Sequence, residues 1–371
     1  VAPGEASVTF GTRFVLRLIR RPEDEHPDLE VVQFLAEHGF THTPPVRGVL
    51  SYKTGHSSAT LGVLQDYVGH ETDGWLVTLD ELGRYCERML TRPGVPTVPT
   101  EGLAELAGRE TPADVMQAIG PFLQTVELLG QRTGEMHLVL ASDSTDPRFA
   151  PEPFSALYQR SLVQSVRNVG RSVLQRLRRR LRSLPEAVQA DALRAVQMEG
   201  EILKRSRLAF ETRFRSKRIR YHGNYHLGRV LYTGRDFVML FFEGEPGRPL
   251  AERRIKRSPL RDVTSMLRSF HYVTAHALSG QVSSGAVRAE DVPLLTPALR
   301  AWRAWVGAAF LRKYLATVAK APFAPGSAEE LRASLHGYLL ERTLHEIGYE
   351  LDQRPEWVAI PLSELLDLMN A

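Results

Sequence analysis

Apolar and polar positions alternate through residues 7–19, SVTFGTRFVLRLI, with Gly11 at the break. This period of two predicts a pair of short strands joined by a turn. The pattern changes to helical spacing in PDLEVVQFLAEHGF (27–40), where Gly39 suits a helix C-cap. An extended stretch, THTPPVRGVLSYK, follows at 41–53, and LGVLQDYV (61–68) reads as a further strand. Strands and one helix packed into the first 74 residues predict a small α+β lobe.

Beyond Gly74 the periodicity is mostly helical. Thr78 followed by Glu81 has capping-box spacing, which puts a boundary at 69–75 and divides the chain into residues 1–74 and 75–371. The Pro- and Gly-rich stretch 92–108 reads as a mobile surface loop. Long helices are predicted over 113–141 and 155–182, and Ser183 with Glu186 marks the start of another that runs to about Phe210. RIRYHGNYHLGRVLYTGRDFVMLFFEGEP (218–246) then gives strand, loop and strand, with a turn at Thr233-Gly234 and one more strand. Side chains that do chemistry belong on those loops. From Leu260 onward the pattern is helical again, without internal repeats.

Composition narrows the class. The chain has 371 residues, 43% of them hydrophobic, enough for a sizeable core. Lys and Arg number 47 against 43 Asp and Glu, a net +4 that does not by itself imply a polyanionic partner. The arginines of the 155–182 helix (Arg167, Arg171, Arg176, Arg178, Arg179, Arg180, Arg182) read as its solvated face, with few interleaved aromatics to stack on bases, so no nucleic-acid binding is expected. Cys86 is the single cysteine, which excludes an intrachain disulfide and fits a reducing compartment; a cytoplasmic location is expected. No apolar run has the length of a membrane span, and VAPGEASVTF lacks the features of a signal peptide. Strand-like alternation begins almost at Val1, so the chain reads as cut from something longer.

HGNYHLGR (222–229), FVMLFFEGEP (237–246) and RPLAERRIKRSPLRDV (248–263) together resemble the maltokinase family, a branch of the kinases related to aminoglycoside phosphotransferases. ERTLHEIGYELDQRPEWVAIPL (341–362) is similar to that family's C-terminal stretch, and FVLRLIRR with PDLE (14–30) to its ATP-lysine strand and helix. The resemblance implies an α+β, bilobal protein-kinase-like fold: a truncated small N-lobe, lacking a cap region, and a large, mostly helical C-lobe. It also implies roles for particular positions. The general base falls on Asn224, one metal ligand on Arg229 and the other on Phe241, where the family motifs read HGDYHLGQ and DFEGEP. An amide accepts no proton at neutral pH, a guanidinium has no lone pair, and a phenyl ring is no magnesium ligand. Arg17 stands at the phosphate-contacting lysine, with Glu30 as its expected ion-pair partner; these two are the nucleotide-binding candidates. His226, Tyr349 and Trp357 fall on the sugar side.

The expectation from these residues is a maltokinase-like pseudokinase domain, a scaffold fused to or docked on trehalose synthase, with a homo-oligomer formed through that partner. No cofactor or metal is expected. The rival is an active maltokinase making maltose 1-phosphate, which would need ATP, magnesium and a substitute base from Asp236, Glu243 or Glu245. A third reading is a sensor that binds maltose or nucleotide without turnover.

Overall fold

The computed structural model describes residues 6–19, 22, 26–55, 57–91, 94, 96–245 and 248–370. The predicted opening hairpin forms as β1 (Ala6–Phe10) and β2 (Phe14–Leu18), with Gly11 at φ 56° in the turn. Helix α1 follows at Pro27–Glu37 and ends where Phe40 N–H reaches back to Leu35 O. A second hairpin, β3 (Val46–Thr54) and β4 (Ser57–Asp66), completes an antiparallel sheet of order β1-β2-β4-β3. Pairing of Val15 with Gln65 and of Arg17 with Val63 puts these four side chains on one face of the sheet. The opposite parity carries Val8, Phe10 and Leu50, all about half exposed.

Several boundaries differ from the sequence pattern, each for a local reason. After β5 (Thr72–Asp73), helix α2 (Gly74–Thr91) starts before Thr78 because Asp73 Oδ1 accepts the Leu76 N–H at 2.8 Å. Thr78 lies inside the helix and donates to Gly74 O, while Glu81 pairs with Arg84 and Arg88 instead of capping. The helix predicted at 113–141 is two, Ala113–Ile119 and Phe122–Leu140, parted by Gly120 at φ 72° and Pro121. Ser155 does cap the helix Ala156–Arg180, accepting the Tyr158 N–H at 3.1 Å. Ser183 instead donates to Arg180 O, and the next helix, Glu186–Gln197, stops at Met198 before Glu199–Glu211 begins. The stretch read as a mobile loop at 92–108 holds a short helix, Leu103–Ala107, with Leu106 and Ala107 buried. Residues 92, 93 and 95 of that stretch lie outside the described residues, as does Pro246 of FEGEP.

The chain condenses into two compact units. The first comprises Val1–Pro99, Leu106–Glu152 and Arg218–Phe323. Its helical part is built on Phe122–Leu140 against Val292–Val318, where Gly134 permits close approach: a Cβ there would sit 2.8 Å from the Thr317 side chain. Rings of Phe122, Phe270, Trp302 and Phe310 fill the same core. The short strands Val230–Tyr232 and Phe237–Met239 join β5 in a three-stranded sheet, which carries the loops on either side of it.

The second unit comprises Thr100–Glu105, Pro153–Lys217 and Ala324–Ala371. Helices Ala156–Arg180, Glu199–Glu211 and Ala328–Gln353 pack together there, Phe210 sitting 5.2 Å from the Tyr338 ring. No helix among the described residues is long and apolar enough to cross a membrane.

Cys86 on α2 is fully buried, and burial pushes its thiol up to about 11. The native protein should therefore not react with dithionitrobenzoate at about pH 8, and one thiol should appear on unfolding. Stoichiometric labelling of the native chain within minutes would contradict the placement.

Candidate active site

A buried carboxylate shapes the loop 222–229. Asp262, in the first turn of the helix Leu260–Ser283, accepts the backbone N–H of His222 on Oδ2 at 2.7 Å and that of Gly223 on Oδ1 at 2.9 Å. His137 Nε2 approaches the same Oδ2 at 3.1 Å, and its Nδ1 lies 3.1 Å from the Tyr314 hydroxyl. His222 in turn donates from Nε2 to Leu240 O at 2.9 Å and accepts the Asn224 N–H on Nδ1 at 3.3 Å. One donor and one acceptor define a neutral imidazole. Burial depresses the His222 pKa to about 4 despite the attraction of Asp262. Gly223, at φ 81°, lets this loop touch the segment 241–245: a Cβ on it would fall 2.9 Å from Gly244 Cα.

The two positions assigned to metal, Arg229 and Phe241, meet at one ring, and the position assigned to the base lies on the loop 222–229. Asn224 is half-buried, and among the described residues its carboxamide makes no hydrogen bond. Phe241 is the non-glycine residue with positive φ, at 66°, among the described residues. Its ring centroid lies 4.7 Å from the guanidinium carbon of Arg17 and 4.7 Å from that of Arg229. Arg17 also donates from Nε to Gln65 Oε1 at 2.9 Å, forms an ion pair with Asp28, and has Glu243 at 3.8 Å. Asp28, only 1% exposed, uses its other oxygen to accept the Phe242 N–H at 2.6 Å.

Glu30 is thus not the partner of Arg17, contrary to the sequence expectation. Two residues apart on a helix means about 200° of rotation, so Asp28 and Glu30 project to opposite sides of α1. Asp28 takes the strand side. Glu30 holds a separate arginine group: Arg254 at 3.2 Å, Arg220 at 3.3 Å and Arg148 at 3.9 Å. Asp28 and Asp262 are the carboxylates anchoring the site that residue spacing missed. A lone Asp in a helical stretch carries no signal of burial, though the word SPLRD contained the second.

Beside the ring lies a cavity of about 100 Å³, lined by Val15, Val32, Pro44, Tyr67, Leu231 and Leu240, with Arg17 and Phe241 at its wall. Glu245 is engaged by Arg248 at 2.5 Å. Asp236, in the turn between the two short strands, is gripped by Arg132 at 2.8 and 2.7 Å, so it is not free to act as a base at the loop. Among the described residues no group of three or more His, Cys, Asp or Glu is placed to hold a metal ion.

His226 stands at the head of the 3-10 turn Leu227–Arg229, with its ring against Gly228. Tyr349 and Trp357 belong to the second unit. Tyr349 is 57% exposed and lines a groove with Asn168, Ser172, Arg176, His345 and Asp352. Trp357 does not line that groove; the Arg354 guanidinium carbon lies 4.8 Å from its ring and 5.4 Å from that of Tyr349.

This geometry is that of a kinase-like α+β fold, and comparison with known proteins bears it out. A solved glucosamine kinase in complex with glucosamine, ADP and inorganic phosphate matches with a TM-score of 0.69 at 22% identity, over 100% of this chain and 81% of that one. A second glucosamine kinase structure, crystal form B, gives 0.68 at 23% identity over 99% and 77%. In sequence, the chain is 25% identical over 372 positions to a glucosamine kinase of Streptacidiphilus jiangxiensis, covering all of this chain and 70% of that protein. It is 26% identical over 351 positions to one from Mycolicibacterium smegmatis (strain ATCC 700084 / mc(2)155), covering 94% and 73%. No protein-family model matches. The homologues are sugar kinases; their names carry glucosamine, where the sequence motifs resemble maltokinases.

The neutral His222 makes stability depend on pH. Its folded pKa of about 4 lies below the unfolded value near 6.5, so its contribution is complete above pH 6.5 and declines as pH falls toward 4. Between pH 7 and pH 5 the loss from this group should be about 2 kcal/mol. Urea unfolding of the wild type and His222→Gln at both pH values checks it: the variant lacks the titration, and the gap between the proteins should narrow at pH 5. A gap independent of pH would show that His222 is not held neutral.

Proposed function

We propose that this protein is a sugar-kinase homologue that has lost phosphoryl transfer and acts as a scaffold. The observation that carries the reading is Phe241, whose ring lies between two guanidiniums at the position where the motif resemblance puts a metal ligand. Magnesium-dependent transfer needs carboxylate ligands that bring the ion to the phosphates. Here an incoming divalent cation would meet two guanidiniums and a ring without donor atoms.

The rest of the centre supports the same conclusion. Arg17 keeps the charge of a phosphate-contacting lysine, but Asp28, Gln65 and Phe241 already engage it. Asn224 supplies no proton acceptor, and an absent general base alone costs on the order of 10² to 10⁴ in rate. Of the rival's candidate substitute bases, Asp236 is held by Arg132, Glu245 by Arg248, and Glu243 lies 3.8 Å from Arg17.

The sugar class of the parent activity rests on two sources: the motifs resemble maltokinases, and the relatives are named for glucosamine. The motif resemblance also supports trehalose synthase as the scaffold's partner in the cytoplasm, with maltose as a ligand to test. Neither ATP nor magnesium is assigned to the cleft.

The test is an ADP-release assay with magnesium ATP and either maltose or glucosamine. No sugar-dependent ADP above background is expected from the wild type, and thermal denaturation should not shift with ATP, with or without magnesium. The triple variant Asn224→Asp, Arg229→Gln, Phe241→Asp should gain magnesium-dependent stabilisation by ATP. Wild-type turnover of about 1 per second or more would refute the reading.

A further inference from the structure

The helix Ala156–Arg180 contains no Asp or Glu, and its solvent face carries a line of arginines beside Gln164, Ser165, Asn168, Ser172 and Gln175. Arg160, Arg167, Arg171 and Arg178 follow one another at steps of seven, four and seven. At 100° per residue they fall within about 40° of one line, spanning about 27 Å. Gln164 and Gln175 occupy turns between them; Arg179 lies about 100° around the helix from the row, and Arg182 follows in the 3-10 turn Leu181–Ser183. All six arginines are exposed, while Leu162, Val166, Val173, Leu174 and Leu177 are buried on the other side. Arg178 pairs with Glu199 at 3.1 Å, and no ion pair joins Arg160, Arg167, Arg171, Arg179 or Arg182 to another described residue.

Two ordinary explanations fall short. Complementing the helix dipole needs cations only in the last turn, whereas Arg160, Arg167 and Arg171 lie well before it. Keeping a face in water needs charge of either sign, and like charges four apart, such as Arg167 and Arg171, weaken a helix. A row of one sign 27 Å long is the footprint of a partner of the opposite sign.

Charge distribution decides which partner. The six arginines carry more charge than the whole chain's net +4, so the remainder of the molecule is net acidic. A nucleic-acid duplex or an anionic membrane presents negative charge over an area wider than this row, and the rest of the chain adds no net positive charge to match it. No aromatic side chain alternates with the arginines to stack on bases, and Leu157, 76% exposed, is the large apolar side chain at the start of the face. A narrow row of carboxylates suits the guanidinium forks, each of which pairs a carboxylate through two parallel hydrogen bonds. We infer that the face Arg160–Arg182 docks an acidic helical segment of a partner protein. This surface stands whether or not the cleft transfers phosphoryl groups.

Fluorescence anisotropy with four probes tests it: a synthetic helix with Glu at steps of seven, four and seven; a peptide of the same composition with Glu spread around the helix; a DNA duplex of about 20 base pairs; and phosphatidylserine vesicles. The row peptide should bind at least about tenfold more tightly than the dispersed one, and more weakly as salt rises. Arg167→Glu with Arg171→Glu should lose about tenfold in affinity, and Arg167→Gln with Arg171→Gln should lose less, with unchanged circular dichroism. Equal binding of the two peptides, no binding of the row peptide at about 50 mM salt, or tighter binding of the duplex or vesicles would each overturn the assignment.

Discussion

A single buried carboxylate, Asp28, organises the centre of the first unit. One oxygen neutralises Arg17 of β2 and the other accepts the Phe242 N–H, so sheet, helix α1 and the loop at 241–245 converge on two atoms. A guanidinium this far from water needs a fixed counter-charge, and a carboxylate this buried needs its lone pairs occupied. Removing either partner would strand the other. Asp262 does the same for the neighbouring loop, taking both N–H groups of His222 and Gly223.

These two anchors fix the shape of the loops that carry Asn224, Arg229 and Phe241. Phe241 sits at φ 66°, a region where a bulky side chain costs of order 1 kcal/mol or more. The cost is offset by its contacts with Arg17 and Arg229, each of which places a cation near the ring. The backbone there is constrained from both sides, by the Asp28 bond to Phe242 and by the close meeting of Gly223 with Gly244. A loop held that firmly tolerates a residue that its own conformation disfavours.

Much of this was legible in the sequence where periodicity or turn chemistry is strong. The opening hairpin, α1, the capped helix at Ala156 and the strand-turn-strand around Thr233-Gly234 all follow from local pattern. The β3–β4 hairpin was only half visible because β3 is an exposed edge strand with two irregularities in its register and no apolar alternation. Helix breaks at Gly120 and Met198 were missed because apolar spacing continues across them. In the site, motif words located Asn224, Arg229 and Phe241, but not which helical acid faces Arg17. That choice between Asp28 and Glu30 depends on the rotation of α1 about its axis, a tertiary fact.

The guanidinium of Arg17 ties these points together. An ammonium is a compact point charge that can serve a phosphate while leaning on one carboxylate. The Arg17 fork spreads its donors over Gln65 and Asp28 and keeps its guanidinium carbon 4.7 Å from the Phe241 ring centroid, so the ring and the fork stabilise each other. An aspartate at 241 alone would place a carboxylate between Arg17 and Arg229, where it would pair with the guanidiniums. Arg17, Asp28, Gln65 and Phe241 thus form a mutually dependent set of side chains, and a change at any one of them alters what the others can pair with.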